Sequence, residues 1–169
     1  RLLRPSHKDA LAYLAEALVS LAPGHEQPER ALAAASELAT LSPDDPWTRT
    51  LVARAHLQVG RASGDRTHFA AAEERALSCL DIAPPKAFVF LLAAEARSAA
   101  GDLEGALAHL DDGIARGLDH LQVRLERARV LRRLGRTGEA RRELARLQQI
   151  APMEPAVLDA IRALATPPK

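Results

Sequence analysis

The stretch "GDLEGALAHL" runs from Gly101 to Leu110, and "GRTGEARREL" runs from Gly135 to Leu144. Glycine, alanine and a final leucine recur at the same steps of both, 34 residues apart, with a glycine and a glutamate set between them. A fixed internal period marks stacked supersecondary units, none of which can bury its apolar face without a neighbour. Prolines extend the ruler along the chain. "LLRP" ends at Pro5, "TLSP" at Pro43, "DIAP" at Pro84 and "QIAP" at Pro152, while Leu118 of "ARGL" takes the corresponding place. The intervals are 38, 41, 34 and 34 residues. The extra length of the first two is assigned to the polar segments "PGHEQPE" (23–29) and "GRASGDRT" (60–67). The second is expected to be a mobile loop, since added loop length costs little free energy.

Between these marks each unit reads as two amphipathic helices. First helices are expected over 8–22, 46–59, 86–100 and 119–134, and second helices over 28–41, 68–82, 103–116 and 137–150. Gly60, Gly101 and Gly135 stand where first helices should stop, because glycine accepts the left-handed conformation of a C-terminal cap. Proline cannot continue a helix and closes the second ones. A last helix, 154–165, carries Leu158, Ile161 and Leu164 on one stripe.

Composition agrees with an all-α protein. Of 169 residues, 47% are hydrophobic but only 3% aromatic, so the core must be built from Ala and Leu, strong helix formers. Arg outnumbers Lys twenty to three and Asn is absent, a bias that reads as a GC-rich bacterial genome. Net charge is +1, divided as −2 over residues 1–85 and +3 over 86–169. Near-neutrality weighs against a general nucleic-acid binder. No stretch reaches the ~18 apolar residues of a membrane helix. Cys79 is the single cysteine, which rules out an internal disulfide and is read as a small buried residue.

A 34-residue helix–turn–helix unit resembles the tetratricopeptide repeat, whose pattern is W-x2-L-G-x2-Y, then A-x3-F, then P. The first four slots hold Leu11, Leu14, Ala15 and Leu18 in repeat one and Arg49, Val52, Ala53 and His56 in repeat two. They hold Phe90, Ala93, Ala94 and Arg97 in repeat three and Arg124, Arg127, Ala128 and Leu131 in repeat four. Second helices supply Ala31 and Ala35, Ala72 and Ala76, Ala106 and Leu110, and Ala140 and Leu144. The small residues Ala15, Ala53, Ala94 and Ala128 are the informative match, because paired helices approach closely only over a small side chain. Arg49, Arg97, Arg124 and Arg127 fall in slots that the family fills with apolar groups. Either their aliphatic stems lie on the core with the guanidinium groups in water, or the register shifts by one there.

The resemblance implies an all-α, right-handed α-solenoid of about four repeats, 8–43, 46–84, 87–118 and 121–152, with a capping helix over 154–165, read as one domain. Residues 1–5 read as the remnant of a preceding element, and because Arg1 rather than Met comes first, a cytoplasmic location is expected with a periplasmic one left open.

Catalytic signatures are not found. His7, His25, His56, His68, His109 and His120 show no metal-ligand spacing, and His56 falls in an aromatic slot that implies core packing. "LDDG" (110–113) lacks an EF-hand's alternating oxygens, and "GRASGDRT" lacks the Gly-Lys pair of a phosphate loop. No enzyme activity, cofactor or metal is expected.

In the tetratricopeptide family ligands usually lie against the first helices of successive repeats. Carried over, that face holds Trp47, Thr50 and Arg54 in repeat two, Phe88, Leu91 and Glu95 in repeat three, and Gln122, Leu125, Arg129, Arg132 and Arg133 in repeat four. Asp9 and Glu16 lie on it in repeat one, as an acidic end opposite a basic one. Trp47 is the single tryptophan, and aromatic and Arg side chains dominate interface hot spots. It either anchors a ligand or packs against the neighbouring repeat. Arg129, Arg132, Arg133 and Arg136 are read as one positive helix face, either a solvated surface or a site for carboxylates or phosphates. The family's two-carboxylate clamp uses Lys and Asn. Ala12 and Glu16 stand there instead, so a receptor for heat-shock-chaperone tails is not implied.

The expected function is therefore a scaffold binding a peptide or protein segment with acidic and apolar groups. A regulatory repeat region of a larger enzyme or assembly machine is the alternative, and a nucleic-acid-binding repeat a weaker one. No small-molecule substrate or membrane insertion is expected, and the sequence leaves the oligomeric state open.

Overall fold

A computed structural model describes residues 6–21 and 27–165. The segment 1–5, residue 22 and most of the polar segment 23–29 lie outside the described residues. Among those described, the helices are α1 (His7–Val19), α2 (Pro28–Leu41), α3 (Pro46–Ser63), α4 (Arg66–Leu77), α5 (Ala87–Ala100), α6 (Leu103–Ala115), α7 (Leu121–Arg133), α8 (Thr137–Ile150) and α9 (Pro155–Ala165). A 3-10 turn, Ser78–Asp81, follows α4. No strand occurs among the described residues. The chain divides into two compact units, residues 1–85 and 86–169, taken in turn below.

Helix ends follow local chemistry. Ser6 and Asp9 form a reciprocal capping box at the start of α1, and the carboxylates of Asp45, Asp65 and Asp102 accept backbone N–H groups at the starts of α3, α4 and α6. These caps satisfy donors that have no partner inside the helix. Gly101, at φ 88°, ends α5, and Gly135, at φ 77°, follows α7, as the repeated motif predicts.

Gly60 behaves differently. It lies inside α3, which continues to Ser63 and is capped by Gly64 at φ 75°. Gly60 is buried, and a Cβ there would stand 2.6 Å from the ring of Phe69. Its role is close approach between α3 and α4, not helix termination. The expected loop 60–67 is thus mostly helix, because its first residues extend α3 and α4 already starts at Arg66.

In the first unit α1 packs on α2, α3 on α4, α2 on α3, and α1 directly on α3. The core there joins Leu11, Ala15, Leu18, Ala31, Ala35, Leu38 and Leu51. In the second unit α5 packs on α6, α6 and α5 on α7, and α7 on α8, with α9 lying against both α7 and α8. The four small-slot alanines, Ala15, Ala53, Ala94 and Ala128, are buried, as are Ala31, Ala35, Ala72, Ala76, Ala106, Leu110, Ala140 and Leu144. Phe90 is fully buried in the leading slot of the third repeat. The register read from the sequence is the one the core uses. On α9 Val157 is fully buried, while Ile161 and Leu164 pack beside it and Leu158 is half-buried.

Candidate functional site

The four arginines in apolar slots keep that register and solve the resulting problem by pairing. Arg124 donates to Asp119 (2.7 Å) and Glu143 (2.6 Å), and Arg127 donates to Asp111 (2.6 Å) with Glu143 at 3.6 Å. Glu143 on α8 is 6% exposed, so the carboxylate sits between two guanidinium groups out of water. The hydrogen bond from Arg124 holds the Asp119 carboxyl below the usual carboxylate range, and that same contact pushes the Arg124 guanidinium up. In the first unit Arg49 donates to the carbonyls of Pro43 (2.9 Å) and Ser78 (2.7 Å), closing the turns after α2 and α4. Arg97 pairs with Asp102 at 3.0 Å.

The first-helix residues divide by environment. Trp47 is 43% exposed and Phe88 40% exposed, so neither aromatic is sealed into a core. The Thr50 hydroxyl donates to the Pro46 carbonyl at 2.8 Å. Arg54 pairs with Glu16 at 3.6 Å, joining α3 to α1. With Asp9 spent on capping α1, the acidic end expected in the first repeat is largely occupied by local contacts. Leu91 is half-buried against the core of the second unit, Glu95 is half-buried and Gln122 is exposed. Leu125 is not on the surface. It is 5% exposed and packs with Ala128, Leu144, Leu147 and Val157, because α8 and α9 close over that side of α7.

The basic residues also separate. Arg136 lies beyond the end of α7 and pairs with Glu139 (2.7 Å) and Glu104 (3.7 Å), so it does not share a helix face with the others. Arg129 contacts Glu126 at 3.2 Å. Arg132 donates to the Ala163 carbonyl in the last turn of α9 (3.0 Å), and Arg133 to the Ser98 carbonyl in the last turn of α5 (3.3 Å). Helix C-termini carry partial negative charge, so these cations complete two helix ends. Neither Arg132 nor Arg133 has a carboxylate ion pair among the described residues.

Arg129, Arg132 and Arg133 stand together at a cleft of about 350 Å³ between α7 and α9. Its apolar lining comes from Ala128, Leu144, Ala160, Ala163 and Leu164, with Glu126 and Asp159 also present. The α9 contribution was missed in the sequence, where that helix read only as a cap. Its 3–4-residue spacing of Val157, Ala160, Ile161 and Leu164 was the available signal. Among the described residues no group of His, Cys, Asp and Glu is arranged to hold a metal ion, and no helix is long and apolar enough to cross a membrane. Cys79 is buried, and burial pushes its thiol up.

Comparison with known proteins places these hairpins in a class. Residues 97–164 match the tetratricopeptide repeat family. A crystal structure of a thermophilic tetratricopeptide-repeat protein from Thermus thermophilus superposes with a TM-score of 0.77 at 22% identity, covering 96% of this chain and 81% of that one. The crystal structure of MamA gives 0.66 at 12% identity, covering 96% of this chain and 84% of the other. No curated protein sequence gives a match. Residues 97–164 thus carry the sequence pattern of the tetratricopeptide repeat, and the chain shares the fold of tetratricopeptide-repeat structures along its length. That fold generally serves as a scaffold for protein–protein interaction.

Proposed function

We propose that the protein binds a peptide segment carrying apolar and acidic groups along the first helices of its repeats. The cleft between α7 and α9 carries this reading: an apolar floor is flanked by three arginines, two of them without a carboxylate ion pair among the described residues. Arginine suits such a ligand because its planar fork can hold a carboxylate by two parallel hydrogen bonds. Trp47 in the first unit and Phe88 in the second are exposed aromatic surfaces of the kind that fill a partner's apolar pockets. Thr50 and Arg54 would contribute beside Trp47 in the first unit, and Leu91, Glu95 and Gln122 beside Phe88 in the second, where Leu125 would support the face from below.

The test is selection of a phage-displayed peptide library on the full chain, followed by affinity measurements on purified variants. Recovered peptides should combine acidic with Leu- or aromatic-type residues. Trp47→Ala should weaken binding by about 30-fold, the equivalent of a hot-spot loss of about 2 kcal/mol. Arg129→Ala combined with Arg133→Ala should weaken it mainly at low salt, where screening is least. Arg132 is left in place because it fastens α9. Peptides that bind all variants as tightly as the parent chain would overturn the reading.

A further inference from the structure

A second cleft, of about 440 Å³, lies within the first unit, away from the first-helix face assigned above. Its walls are α2 and α4 and its floor is α3. Ser36 and Thr40 come from α2, Arg49 and His56 from α3, Arg75 from α4 and Ser78 from the turn that follows. No carboxylate lines it.

The two arginines in this cleft are poorly compensated, Arg49 being held in place and Arg75 exposed. Arg49 is held by two neutral carbonyls, and its carboxylate contact, Asp44, is 3.4 Å away on a side chain that is 85% exposed. Arg75 has no ion pair among the described residues. Thr40 and Ser78 donate their hydroxyl hydrogens to backbone carbonyls, whereas Ser36 is exposed and makes no hydrogen bond among the described residues. His56 brings its Nδ1 to 2.9 Å from Nδ1 of His68, so one ring donates there and the other accepts. The remaining ring nitrogen of His56, Nε2, takes no part in that contact.

We propose that this cleft binds a phosphate group, with Arg75, His56 and Ser36 as its direct contacts and Arg49 as the fixed charge behind them. Tetrahedral oxyanions need several convergent donors and a net positive setting, and this wall-and-floor arrangement supplies both. Burial, then the neighbouring His68 and Arg75, hold the His56 ring below the ordinary imidazole range in the unliganded protein. The groups facing it are His68 and Arg75 from α4, Arg49 from α3, and the uncharged Ser36 and Thr40 from α2. A dianion placed among them favours the imidazolium form, so binding takes up a proton. The phosphate is either free or carried on a phosphorylated side chain of another protein, and the same contacts serve both.

The test uses the full chain and follows the histidine ring protons by NMR at constant ionic strength. The probes are inorganic phosphate and a short phosphoserine peptide, with chloride and the unphosphorylated peptide as controls. The His56 signals should move saturably toward their protonated positions while those of His7, His25, His109 and His120 stay put. Arg75→Gln should weaken binding at least fivefold and Arg75→Lys should restore most of it, with helical circular dichroism unchanged in both. Equal affinity for the two probes identifies free phosphate as sufficient, and a tenfold preference for the peptide identifies the phosphorylated side chain. Movements no larger than in chloride, or an Arg75→Gln variant that binds like the parent chain, would overturn the proposal.

Discussion

At the scale of single residues, the arginines in apolar slots carry the clearest consequence. Glu143 is buried between Arg124 and Arg127, and each arginine also reaches an aspartate nearer the surface. Removing the shared carboxylate strands two guanidinium groups that desolvation has already penalised. Glu143→Ala should therefore cost about 3 kcal/mol in chemical denaturation, toward the lower end for a broken buried pair because Asp111 and Asp119 remain. The slots themselves were legible in the sequence, since a steric plan forces Ala or another small residue at Ala15, Ala53, Ala94 and Ala128. The pairing was not legible. Arg124 and Glu143 lie 19 positions apart on different helices, and helical spacing says nothing about charge partners across a hairpin. His56 shows the same limit: its slot implied packing, while its contact with His68 emerges only when α3 meets α4. That contact has a pH signature. With the folded His56 ring held below the unfolded value, the unfolded chain binds more protons as pH falls below 6.5, so this contribution to stability is present above that pH and lost beneath it. His56→Gln should flatten the slope of stability against pH over that interval, as read from denaturation midpoints.

At the scale of elements, glycine spacing gave the right hairpins and one wrong helix end. Gly60, Gly101 and Gly135 look alike in sequence, but Gly101 and Gly135 have positive φ and Gly60 is helical. The distinction depends on Phe69, which comes against α3 only after α4 has folded back. Gly60→Ala should thus lower stability by about 1–3 kcal/mol through overpacking, against the helix-propensity gain that alanine would bring at an open site. A denaturation midpoint equal to that of the parent would show that the Phe69 ring can yield. The final helix invites a second measurement. Val157 is fully buried with Leu125, Leu144 and Leu147, so ending the chain at Met153 exposes an apolar face that nothing else covers among the described residues. Thermal unfolding of that truncation should begin at a clearly lower temperature, and Leu144→Ala in the full chain should cost about 2–5 kcal/mol. Placing Leu125 on the binding face failed for the same reason. The sequence located α9 without saying which side of α7 it would cover.

At the scale of the whole molecule, a repeat plan lets very different sequences share one fold, because each hairpin need satisfy only its neighbours. Identities of 22% and 12% with superposable structures follow from that economy of constraint. The family pattern is matched over residues 97–164, which overlap most of the two equal 34-residue intervals, 84–152. This chain fills nearly all of the plan's aromatic slots with Leu, Ala, Arg or His, and that has an optical consequence. The only tryptophan is 43% exposed and the only tyrosine, Tyr13, is 74% exposed, while the fully buried Phe90 emits weakly. With more than half of its surface covered yet one side open, native Trp47 should emit between the buried and the fully hydrated extremes, leaving room to shift either way. Far-ultraviolet dichroism reports unfolding in this protein, whereas a blue shift of Trp47 emission reports something settling onto it.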